Sequence, residues 1–312
     1  MNRRIALPLL GSALVSALFG CRETPRARLS EAEAMALYKT ANAAPNVPRS
    51  VFHLGHSLVG RDIPVMIAQL AGNGHSFHSQ LGWGTSLKNH WDGEIKGFAA
   101  ENNHPAARPA KQALGSGRYD AVVFTEMVEI RDAIRYHQSA EYLYRWAQHA
   151  RRGNPRIALY LYETWPEIDD KEGWLSRVAE DLSRYWEDDI LIPAVRADGL
   201  PIYVIPGGQA LAATVLAIAA RGEVDGVSRL EDFFALTSSG SQDVIHLSDL
   251  GAYVVALTHY AVLYHANPTG GPRSLLLADG RAAKPPGPAL ARLIQETVWS
   301  VVTRYEKTGV RP

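Results

Sequence analysis

The chain of 312 residues has a single cysteine, Cys21, so it cannot hold an intramolecular disulfide, and an oxidising compartment is tolerated without being used. It has no excess charge of either sign. Its 32 basic residues balance 32 acidic ones, which leaves no electrostatic footprint for nucleic acid. Between residues 50 and 265 it has neither an internal repeat nor a low-complexity linker, which argues for one domain despite the length. After the first 20 residues no apolar run is long enough to span a bilayer, and the most apolar later stretch, Ala210 to Ala220, falls well short.

The first 20 residues are of a different kind. Met1-Asn2-Arg3-Arg4 is a basic start, and Ile5 to Gly20 is apolar with small polar interruptions, which predicts a cleaved export signal over residues 1–20. Leu18-Phe19-Gly20-Cys21 resembles a bacterial lipoprotein cleavage site, although Phe19 is bulkier than usual there. That resemblance implies lipidation of Cys21 and a protein anchored in the cell envelope, in the periplasm or at the outer membrane. The alternative is an ordinary cleaved signal with an incidental cysteine. Loss of residues 1–20 removes Arg3 and Arg4 and no acid, moving the formal charge from zero to −2.

Residues 21–48 are expected to form a tether and a short helix. Ser30 with Glu33 makes a capping-box signature for a helix from Glu31 to about Thr40, ended by Ala43 to Pro48. From residue 49 to 307, strand and helix patterns alternate. Strands are predicted at Val51–Leu54, Ser76–Gln80, Ala121–Thr125, Ile157–Tyr162 and Ile202–Ile205. Helices are predicted near Ala107–Leu114, Tyr136–Arg151, Gly173–Trp186, Gln209–Arg221, Leu250–Tyr264 and Ala289–Tyr305. Strands separated by helices pair in parallel, so the fold class is α/β, a three-layer α/β/α sandwich on a mainly parallel five-stranded sheet. Ligands of such sheets bind at the carboxyl ends of the strands.

One of those ends is chemically distinctive. Val51-Phe52-His53-Leu54-Gly55-His56-Ser57-Leu58 reads as a strand, then a tight turn presenting a serine hydroxyl, then a helix whose first N–H groups face the same place. Far downstream, Asp243-Val244-Ile245-His246 can supply an imidazole and the carboxylate that orients it. Together the two stretches resemble the SGNH/GDSL-type serine hydrolases. Gly55-His56-Ser57-Leu58 stands for the family's Gly-x-Ser-Leu motif and Asp243-Val244-Ile245-His246 for its Asp-x-x-His motif. The resemblance covers roughly residues 48 to 265. It implies the flavodoxin-like fold of that family, esterase chemistry at Ser57, His246 and Asp243, and no metal or organic cofactor.

The resemblance also implies donors for an oxyanion. The first is the backbone N–H of Ser57, and the second comes from Gly82-Trp83-Gly84-Thr85-Ser86, where Gly84 is preferred to Gly82. The family's third donor, an asparagine after the third strand, has no counterpart in Phe124-Thr125-Glu126-Met127. Asn89, Thr125 and Glu126 are therefore expected only to line the site. Glu126 is compatible with an oxyanion only if a raised pKa keeps it protonated.

Trp83, Trp91 and Trp165 are candidate stacking platforms for sugar rings or flat acyl groups. His53 with His56, and His75 with His78, are the competing candidates for a metal site. A spacing of three on a strand, however, puts the two rings on opposite faces, and no cysteine or nearby carboxylate completes a set. The expected partner is a small acyl ester, with an O-acetyl group on an envelope or extracellular carbohydrate as the specific form. An acyltransferase and a non-catalytic carbohydrate-binding protein with a degenerate oxyanion hole are the alternatives.

Overall fold

A computed structural model describes residues 28–46 and 48–312. The signal-like segment, Cys21 and the expected tether up to residue 27 lie outside the described residues.

Five strands form one parallel sheet in the order β2-β1-β3-β4-β5: β1 (Ser50–His56), β2 (Ser76–Gly82), β3 (Ala121–Thr125), β4 (Ala158–Glu163) and β5 (Tyr203–Pro206). Each predicted strand is present. Strands β1 and β2 run two residues farther than their apolar patterns, because the ladder continues through Gly55↔Leu81 and His56↔Gly82. In chain order the helices are α1 (Glu31–Ala36), α2 (Asp62–Ala71), α3 (Leu87–Asp92), α4 (Phe98–Glu101), α5 (Ala110–Gly115), α6 (Ile130–His137), α7 (Ser139–Gly153), α8 (Trp174–Asp181), α9 (Ile192–Asp198), α10 (Gly207–Ala219), α11 (Asp249–Tyr264) and α12 (Pro288–Arg304). Helices α2, α10, α11 and α12 pack together on one face of the sheet, and α5, α7 and α9 on the other. The three-layer sandwich is thus the observed architecture.

The helices depart from the pattern in two places. The expected helix over Tyr136–Arg151 is two helices, α6 and α7, separated by Gln138 in the left-handed region at φ 53°. The expected Gly173–Trp186 helix does not stop at Trp186. A π-helical stretch, Leu182–Leu191, joins α8 to α9. The capping box at Ser30 and Glu33 forms as expected. Packing also extends past residue 307, since Val310 is buried and Asn42 N–H donates to the Gly309 carbonyl.

Strands β1 and β3 are covered on both sides, and the polar residues at the carboxyl edge are drawn in with them. His53, His56, His90 and His259 are all buried. Two of these brace the turn that follows β1. His56 donates through Nε2 to the Glu126 carbonyl at 2.8 Å and accepts the Leu58 N–H at Nδ1 over 3.4 Å. His90 donates through Nε2 to the Gly55 carbonyl at 2.8 Å and accepts from Gln80 Nε2 at 3.0 Å. Gln80 is itself fixed, because its Oε1 accepts the Ala110 N–H at 2.8 Å. Each ring is therefore held as the neutral Nε2–H tautomer.

Burial lowers these histidines in pKa, to about 4 for His56, His90 and His259 and well below the ordinary value for His53. Burial likewise takes His75 and His265 to about 4. A depressed histidine contributes stability that is present above its unfolded pKa and lost as pH falls through its folded one. Two buried carboxyls act in the opposite sense. Burial raises Glu126 to about 7 and Glu163 to about 8, so their contribution is complete below the unfolded value and is lost as pH rises through 7 and 8. The histidines outnumber the carboxyls. Stability is therefore expected to be greatest near pH ~7, to fall by several kcal/mol toward pH ~4.5, and to decline more gently on the alkaline side. Urea midpoints across that range measure it, and equal midpoints at neutral and acidic pH would refute this account.

Candidate active site

Strand β1 delivers Ser57 to the carboxyl edge of the sheet. The turn after it is closed by Val59 N–H and Gly60 N–H, both donating to the His56 carbonyl, at 2.9 and 3.1 Å. Gly60 completes the turn at φ 56°, a conformation that favours glycine. Gly55 is required for a different reason. A Cβ there would lie 2.8 Å from the Thr125 Cβ and 2.9 Å from a Val59 methyl, so only glycine lets the turn close onto β3.

The downstream motif is delivered by a two-stranded antiparallel sheet that sequence patterning did not reveal, β6 (Phe234–Leu236) and β7 (Gln242–Leu247). The motif lies in this bulged strand, just before α11. Phe234 pairs with Leu247 and Leu236 with Gln242, so one residue of β6 faces the four residues 243–246 of β7. The surplus is thrown out as a wide bulge, a device that re-aims side chains. Asp243 Oδ1 accepts the Ile245 and His246 N–H groups at 2.9 and 2.8 Å, which fixes the bulge from within.

The bulge is also held from outside. Gln242 Nε2 donates across to the Ala235 carbonyl at 3.0 Å and to the Asp243 carbonyl at 3.1 Å. Ile168 N–H donates to the Val244 carbonyl at 2.9 Å, and the Trp165 indole N–H to the Ile245 carbonyl at 3.0 Å. The loop after β4 thus grips the bulge along its backbone.

Serine, histidine and aspartate meet at the sheet edge. Ser57 Oγ donates to His246 Nε2 at 3.0 Å, and His246 Nδ1 donates to Asp243 Oδ2 at 3.0 Å. Burial pushes the Asp243 carboxyl up, but the backbone bonds from His246 and Ile245 and the bond from the His246 ring outweigh it and hold it below the ordinary aspartate value. The carboxylate therefore stays charged beside the ring. The arrangement has a hydroxyl next to a base, and a base next to an orienting anion. The side chain of His246 is 47% exposed, so the ring is open to solvent.

The other site residues expected from the sequence take different places. Gly84 stands in the exposed turn between β2 and α3 at φ 50°, with open space around it. Gly82 is the buried end of β2, where a Cβ would meet the side chains of Thr85 and Ile95, at 2.2 and 2.4 Å. Thr125 lies fully buried against Gly55, under the Ser57 turn, with no hydrogen-bond partner for its hydroxyl among the described residues. Glu126 is also fully buried. Its Oε1 accepts the Met127 N–H at 2.8 Å and the Leu87 N–H at 3.2 Å, tying the end of β3 to the start of α3. Asn89 is engaged within its own helix and its neighbours: its Oδ1 accepts from Ser86 Oγ at 2.8 Å and from His137 Nδ1 at 3.0 Å, and its Nδ2 donates to the Glu94 carbonyl.

The tryptophans separate by exposure. Trp165, expected to line the site, is 2% exposed, and its role is to hold the bulge rather than to meet a ligand. Trp91 packs edge-on against Trp146 with Lys111 over its ring. Trp83 alone of these three is open, at 56%. No group of three or more His, Cys, Asp or Glu side chains among the described residues is placed to hold a metal ion, and no described helix is long and apolar enough to cross a membrane. Sequence reasoning missed His56 and His90 as braces. Their burial on strand β1 and helix α3 left no periodic signal beyond their polar presence in apolar runs.

No family model and no curated protein matches the chain. Among solved structures, it is similar to the crystal structure of a DUF4886 family protein from Bacteroides uniformis, at 15% sequence identity and a TM-score of 0.54, over 81% of this chain and 94% of that one. At that identity the likeness is one of fold, and it agrees with the α/β sandwich built on a five-stranded parallel sheet.

Proposed function

We propose that this protein is an SGNH/GDSL-type serine esterase that hydrolyses a small acyl ester, in its specific form an O-acetyl group on a carbohydrate. The observation that supports this reading is the unbroken hydrogen-bond chain from Ser57 Oγ through His246 to Asp243. In the reaction, Ser57 Oγ attacks the acyl carbonyl carbon while His246 Nε2 takes its proton, and Asp243 stabilises the resulting imidazolium without becoming protonated itself. The carbonyl oxygen becomes an oxyanion, for which the N–H groups of Ser57 and Gly84 are the proposed donors. Collapse of the intermediate breaks the ester bond, and His246 returns the proton to the leaving alkoxide. Water, deprotonated by His246, then attacks the acyl-enzyme and releases the acid and the free serine. No metal or organic cofactor enters these steps.

The exposed His246 ring is open to water as the acceptor of the acyl group, and a sugar hydroxyl in the same place would make the protein an acyltransferase. A binding protein without turnover is the second reading. One observation favours it: Asn89 and Glu126 are committed to other partners and Thr125 is sealed beneath the turn, so none of them replaces the family's third donor. We further propose that the protein is exported and held in the cell envelope by lipid at Cys21.

The deciding experiment is hydrolysis of an aryl acetate by the soluble chain from Arg22 onward. Ser57→Ala is expected to abolish turnover, and Asp243→Asn to lower kcat by ~10⁴ while the protein stays folded. A serine-directed phosphonate should label Ser57. Full activity in the Asp243→Asn enzyme would remove that residue from the mechanism, and a folded protein that neither turns over ester nor takes the label would leave the binding reading. Cys21→Ser is expected to release the protein from the membrane fraction, and continued association would argue against a lipid anchor.

A further inference from the structure

The exposed Trp83 is not a loose surface residue. Its indole N–H donates to Glu101 Oε1 at 2.7 Å, and its backbone N–H donates to the Lys96 carbonyl at 2.9 Å. One face of the ring is laid against Gly97, where a Cβ would sit 2.3 Å from the ring carbon Cδ2 and where φ is 66°. Glycine is needed at Gly97 on both counts. The ring is thus fixed at its edge, at its backbone and on one face, and 56% of the residue remains open to solvent. An apolar ring held this firmly and left uncovered loses little freedom when a ligand stacks on it.

The platform is also tied to the nucleophile. Strand β2 pairs with β1 so that Gly82 lies opposite His56, which sets Trp83 and Ser57 as the next residues along adjacent strand ends. Across the gap, Arg61, four residues after Ser57, donates through Nη2 to the carbonyls of Ala100 and Glu101 at 2.5 and 3.2 Å. Glu101 in turn holds the indole. The connection Ser57 turn, Arg61, Glu101, Trp83 is continuous, so the open face keeps a set position beside the serine.

We infer that Trp83 is a subsite for the pyranose ring that carries the scissile acyl group. This inference rests on the esterase reading for its catalytic part. A pyranose presents one face of C–H groups and a rim of oxygen atoms, which fits an uncovered indole whose edge is held by the Glu101 carboxylate. A long acyl chain would instead require an enclosed apolar channel, whereas this face is open.

The test separates the subsite from the chemistry by measuring binding without turnover. In the Ser57→Ala protein, calorimetric affinity for methyl tetra-O-acetylglucopyranoside is expected to fall at least about tenfold on adding Trp83→Ala. Glu101→Ala, which frees the indole edge, should weaken binding several-fold, and Glu101→Gln, which keeps an acceptor there, should restore it. In the active enzyme, Trp83→Ala should lower the preference for this sugar ester over ethyl acetate, as a ratio of kcat/KM, about tenfold and chiefly through KM. Equal affinity with and without Trp83, or no binding at all, would overturn the subsite, as would an unchanged preference. Trp83-dependent binding in a protein that never hydrolyses ester would keep the subsite and remove the esterase reading.

Discussion

Parallel pairing of β1 between β2 and β3 is the constraint on which the site depends. Because the side chains of neighbouring strands keep register, the pairings His56↔Gly82 and Leu54↔Phe124 bring three separate turns to one edge. One turn holds the serine, the second holds Gly84 and Trp83, and the third begins at Glu126. Ligand sites at such an edge follow from the topology of open α/β sheets. The buried histidines reinforce the same edge by tying down carbonyls that would otherwise be left without donors. A charged ring could not serve there, because a proton on Nδ1 would remove the acceptors that the Leu58 N–H and Gln80 Nε2 use at His56 and His90.

His246 and Asp243 come from outside this framework. Their small sheet belongs to neither helical layer, and its position is set by backbone bonds to the loop after β4 together with a close contact on α11, where a Cβ at Gly251 would meet the Phe233 carbonyl at 2.3 Å. The bulge in β7 then converts a short strand into a projecting turn. The second half of the site is therefore built by interrupting regular structure, whereas the first half is built by ending it.

That difference explains what could be read from the sequence. The five strands were legible because β-branched and aromatic runs such as Ala121–Thr125 and Leu159–Tyr162 pair on both sides and are buried throughout. Ser57, Asp243 and His246 were legible as short motifs with a set order, and the structure joins them by hydrogen bonds. The β6–β7 sheet was not legible, since Phe234–Leu236 is only three residues long and residues 242–247 do not alternate in polarity. The break at Gln138 had no glycine or proline to mark it. Trp165 read as a binding-site aromatic because its distance along the chain from a strand end is visible, while its burial beneath the bulge depends on contacts more than 70 residues away. Trp83 shows the converse: the glycine that makes room for its ring, Gly97, lies 14 positions downstream and looks like any loop glycine.

Ser57 and His246, joined by a hydrogen bond, are 189 residues apart in the chain. Synthesis proceeds from the amino end, so the strand and turn bearing Ser57 exist long before β7 has been made. During that interval the Ser57 hydroxyl lacks the imidazole to which it donates in the folded protein. The hydrogen-bond chain from Ser57 to Asp243 closes only when the last quarter of the polypeptide has emerged and the bulge has docked, so under the proposed esterase reading a nascent or truncated chain would be unable to acylate itself on encountering an ester.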